Sequence, residues 1–78
     1  MNSTITTAFG RVLRQLRTAA GMTQEQLGLK ADLQRKFISV LERGEKQPSL
    51  LTLFKLAAAL DIKPGALVAL IDAEIAEH

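Results

Sequence analysis

Apolar positions recur along this chain at helical spacing, and no stretch alternates with the period of two that a half-buried strand requires. Phe9, Leu13, Leu16 and Ala20 follow one another at intervals of four, three and four. That predicts a helix from about Thr7 to Ala20, with Gly21 as a left-handed stop. Beside the stripe, Arg11, Arg14 and Arg17 stand three residues apart and form an inclined basic row. A second helix starts at Thr23, whose hydroxyl can cap the amide of Gln26 while the Gln26 side chain reaches back, the reciprocal capping box. Leu27 and Ala31 point inward from it. Gly28, unfavourable by about 1 kcal/mol against alanine in a helix interior, fits there if another helix backbone passes close.

After a turn at Asp32 and Leu33, a third helix is expected over Gln34 to Arg43, burying Ile38 and Leu41 and ending at Gly44. Gln34, Arg35, Lys36, Ser39 and Val40 are left outside. Phe37 falls between the two faces, and two roles fit it: packing over the second helix, or touching a base or sugar edge. Ser49, following Pro48, can cap a fourth helix whose core face is read as Leu50, Leu53, Phe54, Ala57 and Leu60. Pro64, with its fixed φ and missing N–H, opens a fifth helix through about Glu77. The expectation is an all-α, five-helix bundle forming a single domain over residues 1–78, without repeats, linkers or low-complexity stretches.

Composition narrows the function. A chain of 78 residues is near the size at which one core just offsets the cost of ordering, and it has no cysteine with which to add a disulfide or a thiolate metal site. The first ten residues lack the basic and apolar regions of a signal peptide, and no apolar run approaches the roughly 18 residues of a membrane span. A cytoplasmic protein without a membrane partner is expected. The net charge of +2 is unevenly divided: residues 1–48 hold eight Lys or Arg against four acids, and residues 49–78 hold two against four. A basic half beside a mildly acidic one suits a molecule with one face toward a polyanion. An enzyme fails on inventory, because the single histidine is the last residue, Tyr and Cys are missing, and neither a glycine-rich phosphate loop nor a metal-ligand cluster occurs. No cofactor, no metal and no small-molecule effector is expected.

The segment from Gly21 to Pro48 therefore carries the functional signal. Two short helices joined by a tight turn, with basic and amide side chains on the second, have the layout of a DNA-reading helix-turn-helix. Arg35 stands at the N-terminal end of the reading helix, where its forked donors can bond O6 and N7 of one guanine. Gln34, Lys36 and Ser39 are the other candidates for base readout, with phosphate as the alternative target of each. Val40 can touch a thymine methyl or fill a gap between helices. Gln24 can present its amide and the N-terminal N–H groups of the second helix to a phosphate. Arg43, Lys46 and Gln47 follow the reading helix and can grip the backbone beside the groove, which positions a protein without selecting sequence.

The runs T-Q-E-Q-L from Thr23, I-S-x-x-E-R-G from Ile38 to Gly44 and P-S-L-x-T-L-x-K-L-A-x-A-L from Pro48 to Leu60 resemble the lambda-repressor/Cro-like family, also called the xenobiotic-response-element family. A short domain with a basic reading helix and a fifth apolar helix is most similar, within it, to the controller proteins of restriction-modification systems. The resemblance implies a five-helix bundle that dimerises through its C-terminal half and reads a two-fold-related operator on double-stranded DNA. It also implies that Arg17 and Glu42 pair across the first and third helices as a structural ion pair. Three positions depart from the family pattern: Leu29 is apolar where a polar residue is usual, Gln34 replaces a Ser or Thr, and Lys36 is bulkier than many occupants.

From Ala66 to Ile75 apolar residues surround most of the fifth helix, more than a small bundle buries on one side. Val68, Ile71 and Ile75 are candidates for contact with the same helix of a second copy in a homodimer, with Leu67 and Leu70 facing the home core, or the reverse. The rival to a DNA-binding regulator is an antitoxin-type module that also masks a toxin protein. Repression against activation, the operator sequence and the regulated genes are not written in these residues.

Overall fold

Local signals set most of the helix ends. The computed structural model describes residues 3–77, in five helices: α1 (Ser3–Ala19), α2 (Gln24–Ala31), α3 (Arg35–Glu42), α4 (Leu50–Ala59) and α5 (Pro64–Glu77). Met1, Asn2 and His78, the ends of the expected 1–78 domain, lie outside the described residues, among which there is no strand. At the start of α2, Gln26 N donates to Thr23 Oγ1 at 3.0 Å and Thr23 N donates to Gln26 Oε1 at 2.8 Å, so both halves of the capping box form. Thr52 N donates to Ser49 Oγ at 3.0 Å at the start of α4.

The stops use left-handed residues. Gly44 has φ of 73°; its N–H reaches Leu41 O at 3.1 Å and the next amide, Glu45, reaches Val40 O at 3.2 Å, the paired bonds of a Schellman turn. Asp61 does the same after α4 with φ of 58°, a conformation that costs a residue with a Cβ roughly 1 to 2 kcal/mol.

Phe9, Leu13, Leu27, Ile38, Leu41, Leu56 and Leu67 are fully buried and form the centre of the core. Helix α1 lies against α3 and α5, α2 against α3 and α4, and α4 against α5. Phe37, half-buried, packs against this core with Leu16, Met22, Leu33, Leu53, Leu60 and Ile75.

Three readings of the sequence are corrected. Helix α1 begins at Ser3, not near Thr7: burial of Ala8, Phe9 and Val12 outweighs the weak helix propensity of the Thr-rich start. In α4, Leu50 and Phe54 are 73% and 52% exposed, and the buried face is Leu56, Ala57 and Ala59. The segment L-L-T-L-F-K-L-A-A-A is apolar on nearly every side, so its spacing does not single out a face. In α5, Ile71 joins Leu67 in the home core while Val68 and Leu70 are exposed and Ile75 is half-buried. Glu74 falls on the same buried stripe one turn on, with Arg11 of α1 3.6 Å from its carboxylate.

Candidate nucleic-acid interface

An eight-residue helix such as α3 is marginal on its own in water, so its placement comes from what it packs against. Its inward residues Ile38 and Leu41 are sealed in the core. At its C-terminal end α1 approaches backbone to backbone: a Cβ on Gly10 would lie 2.6 Å from Leu41 O and 2.7 Å from Glu42 O. At its N-terminal end a Cβ on Gly28 would lie 2.6 Å from Leu33 O and 3.4 Å from Arg35 N. The close approach expected at Gly28 is therefore made by the turn leading into α3 rather than by the body of that helix.

An ion pair completes the scaffold. Arg17 Nε donates to Glu42 Oε2 at 2.6 Å, Nη2 to Glu42 Oε1 at 3.0 Å and Nη1 to Met22 O at 2.8 Å. The two side chains are 12% and 4% exposed. The hydrogen bonds that Arg17 donates to Glu42 raise the Arg17 pKa above its ordinary value, against the opposing effect of burial. Gln24 Nε2 donates to Glu42 Oε1 at 3.1 Å, so the carboxylate gathers α1, the start of α2 and the end of α3. Gln24 is thereby half-buried against Glu42, with one amide N–H occupied there. The backbone N–H groups of Gln24 and Glu25, in the first turn of α2, have no partner within their helix.

The outer side of α3 is polar. Gln34 occupies the N-cap with extended backbone and no side-chain cap bond, and Gln34, Arg35 and Lys36 are exposed together. Ser39 and Val40 are half-buried one turn further. Arg35, Lys36 and Lys46 take part in none of the ion pairs found among the described residues. Lys46 and Gln47 are exposed in the segment after α3. Arg43 is engaged on both sides: Nε and Nη2 donate to Glu45 Oε2 and Oε1 at 2.9 and 3.2 Å, and Nη1 donates to Ser39 Oγ at 2.5 Å. The hydrogen bond from Arg43 holds the Glu45 carboxyl below its usual range, and Glu45 raises the Arg43 guanidinium in turn.

Sequence reading passed over three features of this region. Gly10 carries no motif and is recognisable only once α1 and α3 cross. Arg11 and Glu74 are too far apart in the chain for any spacing to join them. Glu45 was read as one acid among several, although its position two residues after Arg43 and directly after a helix-ending glycine was a usable signal. Among the described residues no group of three His, Cys, Asp or Glu is placed to hold a metal ion, and no helix is long and apolar enough to cross a membrane.

A capped helix, a tight turn and a second helix with its polar side outward make a helix-turn-helix, the class of fold that places one helix in the major groove of DNA. The chain belongs to the helix-turn-helix family whose model matches residues 13–67, and it has the lambda-repressor-like form of that fold. It is 38% identical over 69 residues to the control protein C.BamHI of Bacillus amyloliquefaciens, covering 87% of this chain and 85% of that protein. The crystal structure of the restriction-modification controller protein C.AhdI from Aeromonas hydrophila superposes with a TM-score of 0.76 at 46% identity, covering 78% of this chain and 92% of that one. A structure of the controller protein C.Esp1396I, a tetramer in complex with its natural 35 base-pair operator, superposes with a TM-score of 0.84 at 27% identity, covering 91% and 93% of the two chains.

Proposed function

We propose that this protein is a sequence-specific double-stranded DNA-binding transcriptional regulator that acts as a homodimer on a palindromic operator, with residues 1–78 as one DNA-binding and dimerisation unit. The observation that carries the proposal is the outer side of α3, where Gln34, Arg35 and Lys36 are exposed together on a helix whose other side is locked into the core. In this reading Gln34, Arg35, Lys36 and Ser39 face base edges, and Gln24, Arg43, Lys46 and Gln47 hold phosphates. The likeness to controller proteins, one of them solved on its operator, supports autoregulation, with the operator upstream of the protein's own gene.

The dimer surface is drawn from the apolar side chains that the bundle leaves outside: Leu50, Leu51 and Phe54 of α4 and Val68 of α5, each at least half exposed. Ile75, half-buried, borders them in this reading, and Ile71 supports them from within the core. Two-fold pairing would set the two reading helices roughly 34 to 36 Å apart, one turn of duplex.

The test is selection of bound duplexes from a random pool, followed by binding titrations across a salt series. The expected result is a palindromic site with half-site centres one turn apart, and affinity that falls steeply with salt as phosphate contacts release counterions. Failure to bind any duplex at low ionic strength overturns the proposal. The antitoxin reading draws on Leu29, 78% exposed on α2; stoichiometric co-purification with the product of an adjacent gene would favour it.

A further inference from the structure

The basic row of α1 divides three ways in the fold. Arg17 is held by Glu42 and Met22 O, and Arg11 lies 3.6 Å from the Glu74 carboxylate on the side toward α5. Arg14 is exposed and takes part in none of the ion pairs among the described residues. Its direction follows from its neighbours on the helix. At roughly 100° per residue, Thr7, Gly10, Arg14 and Arg17 fall within about 80° of one another around α1, and the other three each meet the far end of the reading helix or the turn that stops it. A Cβ on Gly44 would lie 3.2 Å from Thr7 Cα, a Cβ on Gly10 would lie 2.7 Å from Glu42 O, and Arg17 is bonded to the Glu42 carboxylate. That end of α3 is tied in turn to the start of α2, by Gln24 Nε2 on Glu42 Oε1 at 3.1 Å and Arg17 Nη1 on Met22 O at 2.8 Å.

We propose that Arg14 is a DNA-binding residue of α1, holding one phosphate in each half-site and so carrying the contact surface outside the helix-turn-helix. The inference rests on the DNA-binding reading above. In that reading the first helix of the motif crosses the sugar-phosphate backbone while the second enters the groove by its N-terminal residues. The major groove is only about 12 Å wide, so the end of α3 and the start of α2, gathered on Glu42, come to lie over its wall. Arg14 emerges beside that junction, away from the core. Along α1 it stands between Thr7, against the Gly44 turn that leads to Lys46 and Gln47, and Arg17, against the start of α2. A guanidinium with no carboxylate partner meets a phosphate without first breaking a pair, and can do so through two parallel N–H···O bonds. Arg11 is the internal comparison: the same side chain on the same helix, turned toward α5 and engaged by Glu74.

The test sets Arg14→Gln against Arg11→Gln, each titrated over a salt series on an operator selected with the unsubstituted protein and on a mixed-sequence duplex of the same length. Loss of two phosphate contacts per dimer should make the slope of log K against log salt shallower by about 1.8 and weaken binding at about 0.1 M salt by up to about 60-fold. The factor should be similar on both duplexes, because a phosphate contact carries no sequence information. Arg11→Gln should change affinity by no more than about twofold, since screening over about 10 Å mutes a charge that meets no phosphate. Arg14→Lys should keep most of the slope, as an ammonium still neutralises a phosphate.

Ethylation interference then locates the contact: one phosphate per half-site should weaken binding of the unsubstituted protein when ethylated and leave Arg14→Gln no weaker. Equal losses for the Arg14 and Arg11 variants, an unchanged salt slope for Arg14→Gln, or the same interference pattern for parent and variant would each overturn the proposal. Failure of the unsubstituted protein to bind either duplex would instead remove the DNA reading on which it stands. Circular dichroism melts of each variant confirm that folded protein is being compared.

Discussion

Replacing Gly10 by alanine tests whether α3 is held where the structure puts it. A Cβ at this position would sit 2.6 Å from Leu41 O and 2.7 Å from Glu42 O, against about 3.4 Å for an ordinary contact, so a shortfall of roughly 0.7 to 0.8 Å must be absorbed. Both obstacles are backbone carbonyls in the last turn of α3, which cannot rotate away as a side chain would. Overpacking by one methyl in a tight core typically costs about 1 to 3 kcal/mol, and the rigidity of both partners puts this case at the upper end. Against that stands the gain of about 0.8 to 1.0 kcal/mol from removing glycine from a helix interior. The net expectation is a loss of about 2 kcal/mol, which for a domain of this size lowers the melting temperature by roughly 8 to 16 °C. Gly65 supplies the internal control, since a Cβ there meets nothing within 4 Å; Gly65→Ala should raise stability by about 0.4 to 1 kcal/mol. Thermal and urea melts of the two variants decide the matter. A Gly10→Ala protein as stable as the parent would refute the close crossing of α1 and α3.

Glu42→Ala should destabilise by about 3 kcal/mol, at the low end for breaking a buried ion pair, because Arg17 keeps its bond to Met22 O; an unchanged urea midpoint would mean that the pair contributes nothing net. Asp61→Gly relieves a left-handed residue at the end of α4 and should stabilise by about 1 kcal/mol, somewhat less than the full conformational penalty because glycine also loosens the unfolded chain; a lowered melting temperature would contradict this. Arg35→Ala should cost about 1 to 3 kcal/mol on the operator and relax preference at one base position per half-site. Selection repeated with the Arg35 variant reads that directly, and uniform weakening on all duplexes would assign Arg35 to phosphate instead.

Helix ends were the most legible part of this chain, because each is a local contest settled by a few residues. Thr23, Ser49 and Pro64 announce starts, Gly21 and Gly44 announce stops, and all five act in the structure as their chemistry requires. Faces were legible only where polar and apolar residues are well separated. Helix α3 has Arg35 and Lys36 on one side and Ile38 and Leu41 on the other, as read, and its two residues left between roles, Phe37 and Val40, are half-buried at the border. Helices α4 and α5 are apolar nearly all round, so nothing in their spacing distinguishes Phe54, which is exposed, from Leu56, which is not. The burial of Ile71, the contact of Arg11 with Glu74 and the need for glycine at position 10 depend on which helices meet, and that is decided by the whole core at once. For the candidate site, the outward residues of α3 were readable from the sequence; the bonds that tie Ser39, Arg43 and Glu45 together were not, because they require the turn at Gly44 to fold the chain back.

The restraints on α3 have a common consequence. They act at both ends and in the middle: the Leu33 carbonyl seated on Gly28 before its first turn, Ile38 and Leu41 in the core, and Gly10 with the Arg17, Gln24 and Glu42 cluster at its last turn. A helix of eight residues does not supply its own rigidity, and a bidentate contact to a base edge tolerates displacement of only about 0.5 Å. Phosphate contacts made by long, flexible Lys and Arg side chains tolerate far more. Loosening the scaffold without unfolding it should therefore remove base discrimination before it removes grip on the duplex, leaving the salt dependence of binding nearly intact while operator affinity sinks toward that for any sequence. In the DNA-binding reading proposed above, the buried glycines and the ion pair, none of which needs to touch DNA, would set specificity as directly as the side chains proposed to meet bases.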